Sequence, residues 1–276
     1  MSIEENVAEY EEINEDAVPI KPLVWAITDI AILVQFPFLR FVTLSGNYIS
    51  DLSPLSAAEY LMYLKSDHNQ ILQAGSLKTL NYLQYFDLSH NKVASTDYIN
   101  HGRLKHLILN YNEISTLKGV NGPPLNQFKL RSLETLEIRG NQIESTEGLG
   151  FLHDLKTLYF GENLLKSVED ISGLRGLVRL HLRDNHIATL DGFLQGPTKL
   201  EYLNLRGNKI NRWSEVKKLK SLVTLKVLVL SDNPIADRDL YRPVVLGMMP
   251  FLTRLDKDKT TEEEIAEAVD FYVKLV

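Results

Sequence analysis

The sequence of 276 residues contains no cysteine. Disulfide bridges, thiolate zinc sites and cysteine nucleophiles are therefore excluded. A reducing compartment fits this absence but is not proven by it, because many secreted proteins also lack disulfides. Basic residues are in deficit as well, since 30 Lys and Arg stand against 36 Asp and Glu, for a net charge of −6. A general nucleic-acid-binding protein needs a basic stripe, so we predict no nucleic-acid partner.

Long hydrophobic runs and targeting signals are also missing. The most apolar run, residues 23–36, has 14 residues and contains Asp29, whereas a membrane-spanning helix needs about 20 apolar residues. The first 16 residues hold seven acids and no Lys or Arg, the opposite of the basic start of a secretory signal. We therefore expect a cytoplasmic protein with an acidic disordered tail over residues 1–16 and no membrane partner.

Leucine, in contrast, is abundant, with 46 residues, and it recurs in a fixed pattern. The pattern Leu-x-x-Leu-x-Leu-x-x-Asn-x-Ile occurs nine times, starting at positions 39, 61, 83, 104, 133, 155, 177, 200 and 225. Asparagine fills its slot in all nine copies, and most starts lie 21 to 25 residues apart. This period is typical of leucine-rich repeats, in which each repeat supplies one strand and neighbouring strands stack about 4.8 Å apart.

The predicted fold class is an α/β solenoid, a leucine-rich repeat horseshoe of short 22-residue repeats with a parallel β-sheet on its concave face. Nine repeats cover 39–238. Stacking leaves an apolar face at both ends, so both ends need caps. We assign an N-terminal cap or half repeat to 17–38, a C-terminal cap to 239–259 and a helix to 260–276. The Asn-Gly-Pro-Pro sequence between repeats four and five predicts a protruding loop over 121–129.

Two positions inside the repeat carry further expectations. The asparagine amide should turn inward and satisfy backbone groups that the turn leaves unpaired. In repeat two, Ser66 replaces a core leucine, so this repeat should be the weakest packed.

The residues between the leucines of each strand should face the concave side. Aromatic residues occupy these positions in the first repeats, and arginines occupy them in the second half. Exposed aromatic and arginine side chains commonly anchor protein interfaces, so we predict a partner-binding surface there. An alternative is left open, in which these side chains only solvate the sheet or the arginines pair with Glu137, Glu162 and Asp184. The predicted partner-binding residues are Phe41, Tyr63, Tyr85, His106, Arg139, Arg179, Arg183, Tyr202 and Arg206.

Signals for catalysis are poor. His68 and His90 share a slot in adjacent repeats, with Asp67 and Asp87 nearby, and histidines so placed can share a metal. The repeat itself forces this spacing, however, so we predict no metal site. No Walker loop, G-x-G-x-x-G motif or nucleophile elbow is found. We therefore predict that the protein is not an enzyme and has no cofactor and no small-molecule substrate.

Four stretches are more specific than the general repeat: residues 137–146, 180–185, 202–208 and 249–257. They read Glu-Ile-Arg-Gly-Asn-Gln-Ile-Glu-Ser-Thr, Leu-His-Leu-Arg-Asp-Asn, Tyr-Leu-Asn-Leu-Arg-Gly-Asn and Met-Pro-Phe-Leu-Thr-Arg-Leu-Asp-Lys. Together they resemble the leucine-rich repeat-containing protein 23 family, and the resemblance runs from about residue 23 to 268. The loop at 121–129 is longer than this family leads us to expect.

This resemblance implies a non-enzymatic scaffold of the axoneme in motile cilia and flagella. The family is a component of the head of the third radial spoke and supports ciliary and sperm motility. The implied partners are other axonemal and radial spoke proteins, and the implied location is the cytoplasm and cytoskeleton of the cilium.

A second function class stays open. The 22-residue repeats and the C-terminal cap also resemble a regulatory subunit of protein phosphatase 1. That resemblance implies binding of a Ser/Thr phosphatase through the concave face. Its generic repeats do not carry the arginine-containing strands quoted above.

Overall fold

A computed structural model describes residues 26–97, 99–117, 130–169 and 171–275 of the chain. The acidic tail predicted over 1–16 and the loop predicted over 121–129 lie outside these described residues. The first nine residues of the N-terminal cap predicted over 17–38 also lie outside them.

Every repeat contributes one strand of three residues, because the alternation of inward leucine and outward residue has the period of an extended chain. The nine strands pair in parallel in chain order, one repeat against the next, so that Val42 lies opposite Leu64 and Leu64 opposite Phe86. This continuous, unclosed parallel sheet confirms the predicted solenoid. The strands are β1 (Phe41–Thr43), β2 (Tyr63–Lys65), β3 (Tyr85–Asp87), β4 (His106–Ile108), β5 (Thr135–Glu137), β6 (Thr157–Tyr159), β7 (Arg179–His181), β8 (Tyr202–Asn204) and β9 (Val227–Val229).

Short helical turns connect the strands on the far side of the solenoid. Most are single 3-10 turns, which fit the few residues that a short repeat leaves for the return path. They cover Ala31–Gln35, Ser53–Ala57, Gly75–Leu77, Leu149–Phe151, Asp191–Phe193 and Lys218–Ser221, and one short α-helix, α1, covers Trp213–Lys217.

The core is one continuous column of aliphatic side chains between the sheet and the return turns. The middle residue of each strand is buried, and from Leu64 onward the middle residues of β2 to β9 are fully buried. Burying apolar area of this kind contributes about 25 cal/mol per Å², which makes the stacked leucines the main favourable term in folding.

The asparagine of each repeat turns inward, as predicted. Asn141 shows the pattern: its Oδ1 accepts the Ile114 N–H at 3.0 Å, while its Nδ2 donates to the carbonyls of Leu109 (2.9 Å) and Ile138 (3.1 Å). Equivalent bonds join Asn69, Asn91 and the later asparagines to the repeat before them. The amides thus form a ladder along the edge of the sheet, each rung tying two repeats together.

Ser66 is fully buried, and its hydroxyl finds no hydrogen-bond partner among the described residues. The hydroxyl is therefore unsatisfied, but Leu61, Leu64 and Ile71 of the same repeat are fully buried, so burial does not show the weak packing predicted for repeat two. An unsatisfied buried hydroxyl typically costs about 1–3 kcal/mol.

The described part of the N-terminal cap closes the core less completely than expected. Ile30 is buried and Leu33 packs against the core, but Ile32, Val34 and Phe36 are each more than half exposed. Only the first side chain of the run Ile30 to Phe36 therefore belongs to the core proper.

The C-terminal end is closed by α2 (Tyr241–Met248), β10 (Arg254–Leu255), β11 (Asp258–Lys259) and α3 (Glu262–Leu275). Strand β10 pairs in parallel with β9, and β11 returns antiparallel to β10. Helix α3 begins at Glu262, two residues after the start of the helix predicted over 260–276. The Glu264 N–H donates to the Thr261 hydroxyl at 3.1 Å, an N-cap that precedes three acids in the first turn.

Candidate protein-binding surface

The outward residues of the strands form the face where partner binding was predicted. The aromatic side chains of the first four repeats meet there as one stack. Ring centroids are 6.3 Å apart for Phe41 and Tyr63, 4.4 Å for Tyr63 and Tyr85, and 6.1 Å for Tyr85 and His106. We call these four residues the front stack.

One member of the front stack does not match the expectation of exposure. Tyr63 is only 8% exposed, because the rings of Phe41 and Tyr85 cover it on both sides, whereas Phe41 is 50% exposed. Burial also raises the pKa of Tyr85 above its ordinary value, with Asp87 adding to the effect. The front stack therefore exposes Phe41 and parts of Tyr85 and His106, while Tyr63 is buried between its neighbours.

Asp87 is also less exposed than an outward position suggests. It is 6% exposed, and its Oδ1 accepts the Ser89 N–H at 2.9 Å and the Ser89 hydroxyl at 2.7 Å. Burial raises the pKa of Asp87 despite these bonds. This carboxylate stabilises the turn after β3 and contributes little charge to the surface.

Three of the four predicted arginines are paired within the chain. Glu162 Oε1 lies 2.5 Å from Arg139 Nη2 and 3.0 Å from Arg183 Nη2. Arg206 Nε lies 2.5 Å from Asp232 Oδ2. The alternative of intramolecular pairing is thus confirmed for Glu162.

Pairing with an arginine is also confirmed for Asp184, whose Oδ2 lies 3.5 Å from Arg183 Nε. It is wrong for Glu137, which forms no ion pair with an arginine among the described residues. That carboxylate instead accepts a hydrogen bond from the Asn110 amide at 2.8 Å. The hydrogen bond from Arg139 lowers the pKa of Glu162 more than any other contact.

Arg179 is the exception among the four. It is exposed and forms no ion pair with any residue that the structure describes. Strand pairing places it opposite Tyr202 on one side and Thr157 on the other. Arg179 is therefore the arginine of this face best placed to meet an external carboxylate.

A second aromatic stack lies beside Arg179, and only one of its three residues, Tyr202, was predicted. The ring of His181 lies 4.4 Å from Tyr159 and 4.8 Å from Tyr202, centroid to centroid. Burial, with Arg179 and Arg183 as further causes, lowers the pKa of His181 to about 4, so its ring is neutral near pH 7. We call Tyr159, His181 and Tyr202 the rear stack. The signal for it in the sequence is that Tyr159 and His181 occupy the same position of adjacent repeats, and neither was among the predicted partner-binding residues.

The turn after each strand has a left-handed residue in front of the asparagine. In three repeats it is glycine, and elsewhere it carries a side chain at φ values of 52° to 58°. Such residues cost strain unless the neighbouring contacts hold them. The nine residues are Gly46, His68, His90, Tyr111, Gly140, Glu162, Asp184, Gly207 and Asp232.

Because these residues share one backbone conformation, their side chains stack from repeat to repeat. The rings of His68 and His90 lie 4.1 Å apart, and those of His90 and Tyr111 lie 4.6 Å apart. The Tyr111 ring passes over Gly140, where a Cβ would lie 2.4 Å from it, and its hydroxyl donates to Glu162 at 3.2 Å. We call the nine left-handed residues the left-handed column. Their shared conformation places Glu162 beside Arg139 and Arg183, and Asp232 beside Arg206.

The histidine pair does not gather a metal-binding group. His68 Nδ1 lies 2.8 Å from Asp67 Oδ2, and the two imidazoles stack face to face. Among the residues that the structure describes, no three His, Cys, Asp or Glu side chains converge in a way that could hold a metal ion. In the same part of the chain, no helix has both the length and the apolar character needed to cross a membrane.

Comparison with known proteins gives matches over most of the chain. A family model described as leucine-rich repeat matches residues 124–274. Leucine-rich repeat-containing protein 23 of Homo sapiens is 45% identical over 263 residues, covering 88% of this chain and 68% of that protein. The Xenopus tropicalis protein of the same name is 43% identical over 265 residues, with the same coverage.

Solved structures show the same fold at low identity. An internalin of Listeria monocytogenes superposes with a TM-score of 0.69 at 22% identity, covering 85% of this chain and 72% of the internalin. The plant peptide hormone receptor RGFR1, solved in complex with RGF2, has a TM-score of 0.64 at 20% identity, covering 83% of this chain and 37% of the receptor. At these identities the likeness shows the fold alone.

Proposed function

This chain belongs to the leucine-rich repeat-containing protein 23 family, and we propose that it acts as a non-enzymatic scaffold of the axoneme in motile cilia and flagella. In this proposal it is a structural component of the radial spoke, located in the head of the third spoke, and supports ciliary and sperm motility. The observation that carries the proposal is the 45% identity to the human family member over 88% of the chain.

Family membership and the repeat fold support a protein-interaction scaffold in general. The human and frog relatives described above have names that denote repeat proteins and not enzymes. The sheet presents two aromatic stacks on one face, the front stack on repeats one to four and the rear stack on repeats six to eight, with Arg179 beside the rear stack. Partly exposed aromatic rings anchor interfaces at low cost in conformational entropy, which suits a rigid docking surface.

In this proposal the partner lies along the outward face of the strands. The front stack offers Phe41 and His106 as apolar contacts, and the rear stack offers Tyr202 with the free charge of Arg179. Because His181 is neutral and Arg183 is paired with Glu162, Arg179 provides the positive charge there. An acidic side chain of the partner would pair with Arg179 through charge-assisted hydrogen bonds.

Affinity purification from ciliated and non-ciliated cells tests the proposal. The tagged full chain should recover radial spoke proteins from ciliated cells and no such set from non-ciliated cells. Recovery of a phosphatase catalytic subunit from both cell types, without spoke proteins, would instead support the regulatory-subunit alternative and overturn the axonemal role.

A further inference from the structure

A second surface lies at the edge of the sheet where the strands begin, away from the two aromatic stacks. An open cleft of about 870 Å³ runs along repeats four to eight at this edge. Its lining includes the four basic residues Lys105, Lys156, Arg175 and Lys199. We call it the edge cleft.

The edge cleft is positive although the whole chain is negative. Four basic residues line it against the two acidic residues Glu134 and Asp154, so their formal net charge is +2, while the chain carries −6. One of the acids, Glu134, is already shared, with its carboxylate 2.5 Å from Lys156 Nζ and 3.8 Å from Lys105 Nζ. Hydrogen bonding to Lys156 lowers the pKa of Glu134, so this carboxylate is ionised and neutralises about one lysine.

The other two cations have no such neutralising contact. Arg175 and Lys199 are exposed, and neither forms an ion pair with another residue in the described ranges. Gly176, next to Arg175, packs closely on the preceding repeat, since a Cβ there would lie 2.8 Å from the His153 carbonyl oxygen. The positive charge of the cleft is thus least compensated at Arg175 and Lys199.

Two of the lysines share one position of the repeat. Lys105 and Lys156 are the second residues of repeats four and six, so they lie two repeats apart. Two strand spacings are about 9.6 Å, and three residues of an extended chain cover about 10 Å. Lys199 directly precedes repeat eight, so it lies at the same edge of the sheet but at a different position of the repeat.

We propose that the edge cleft binds an extended acidic segment of a partner protein, whose carboxylates pair with the basic residues of the cleft and above all with Arg175 and Lys199. This proposal is independent of the axonemal function, since it rests on the charge of a different surface. It gives the scaffold two binding surfaces, one aromatic on the outward face and one basic on the edge.

Fluorescence anisotropy with the full chain tests the proposal. The probe is a fluorescein-labelled peptide Glu-Ser-Ser-Glu-Ser-Ser-Glu, and the matched control peptide carries Gln in place of each Glu. We expect saturable binding of the acidic peptide that weakens as salt is raised, and binding of the Gln peptide at least about tenfold weaker. Absence of saturable binding, or equal binding of the Gln peptide, would overturn the proposal.

Matched charge reversals locate the site. Arg175→Glu with Lys199→Glu should weaken peptide binding about tenfold or more, whereas Lys92→Glu with Lys209→Glu should leave it within about twofold. The second pair changes the net charge equally but lies beyond the carboxyl ends of the strands, after Asn91 and Asn208. All four residues are exposed, so both variants should fold, which circular dichroism checks.

Two further outcomes also decide the matter. Equal loss in both variants would show that only the overall charge acts. Displacement of the peptide by a single-stranded DNA oligonucleotide at lower concentration would show that the cleft takes nucleic acid in preference to protein. Either result would overturn the proposal. If the double reversal disturbs the fold, Arg175→Gln with Lys199→Gln gives the same test with a smaller change of charge.

Discussion

At the scale of single residues, the asparagine ladder is the feature on which the repeat depends most. Asn141 is 7% exposed and bonds four backbone groups, two of which belong to its own repeat and two to the repeat before it. Asn47 makes similar bonds to Ile27, Leu44 and Ser45 but is only half-buried. The two positions therefore separate the effect of the bonds from the effect of burial.

Replacing Asn141 by Ala should lower the free energy of unfolding by about 3–5 kcal/mol, because buried backbone groups lose their partners. Asn47→Ala should cost about 1 kcal/mol, since water can reach the groups it leaves. Urea unfolding of both variants measures the difference. Equal costs at the two sites would show that burial of the ladder does not matter.

His181 makes stability depend on pH. Its pKa is lowered from the ordinary 6.5 to about 4 in the folded chain. Between these values the unfolded state takes up a proton that the folded state does not, so stability is lost as the pH falls from about 6.5 to about 4. His181→Phe keeps an aromatic ring between Tyr159 and Tyr202 and removes the titration.

We therefore expect wild type to lose about 1–3 kcal/mol more than His181→Phe between about pH 7 and about pH 4.5 in urea unfolding. Buried His101, whose pKa is also lowered, is present in both proteins and cancels in the comparison. An identical acid loss in the two proteins would contradict the account.

The arginines show what residue patterns could and could not predict. Alternation along each strand placed Arg139, Arg183 and Arg206 on the outward face. Glu162 and Asp184 were named as possible partners, whereas Asp232 was not. The choice between pairing and free charge could not be made from sequence, because Glu162 and Asp232 reach the arginines through the left-handed backbone of the turns.

At the scale of secondary-structure elements, the C-terminal pair of helices closes the solenoid. Tyr241 on α2 donates its hydroxyl to Asp256 at 2.8 Å, and Arg242 bonds both carboxylate oxygens of Glu264 on α3, at 2.5 and 2.8 Å. Helix periodicity predicted α3 itself. Its docking could not be read from sequence, because it depends on the close approach of the two helices at Gly247.

Gly247→Ala should separate these helices. Helix propensity alone would stabilise the variant by about 1 kcal/mol. A Cβ at this position would however lie 2.4 Å from Tyr272 Cβ and 2.5 Å from the Ala268 carbonyl oxygen, so α3 must shift. We expect a net loss of about 2 kcal/mol, measured by thermal or urea unfolding.

Gly102→Ala is the matched control, since nothing lies within 4 Å of a Cβ there. It should change stability by less than about 0.5 kcal/mol. A Gly247→Ala variant as stable as this control, or more stable than wild type, would show that α3 is not packed closely on α2.

At the scale of the whole molecule, the repeat explains why so much followed from sequence. A period near 22 residues, with leucine and asparagine in fixed slots, determines the strand positions, the inward faces and the solenoid. Surface features depend on contacts between repeats and were predicted only in part. The front stack was predicted, whereas the rear stack, the left-handed column and the edge cleft emerge only when neighbouring repeats are stacked.

A test of partner binding must change residues of the outward face that do not also hold the fold together. Arg183 and Arg206 are paired, so reversing their charge would place like charges beside Glu162 and Asp232 and disturb the fold. Phe41 and Arg179 are better probes, because both are exposed on the outward face. Phe41 belongs to the front stack, and Arg179 lies beside the rear stack. Phe151 and Arg212 offer a matched control pair, since Phe151 is 48% exposed against 50% for Phe41 and both lie outside the strands.

Co-sedimentation with isolated axonemes tests the central claim that the outward face docks this scaffold on an axonemal partner. Wild type and the control Phe151→Ala with Arg212→Glu should incorporate to the same level. Phe41→Ala with Arg179→Glu should incorporate about tenfold less at limiting concentration, while its circular dichroism and thermal unfolding stay close to wild type. Wild-type incorporation of the folded Phe41→Ala, Arg179→Glu protein would contradict the claim.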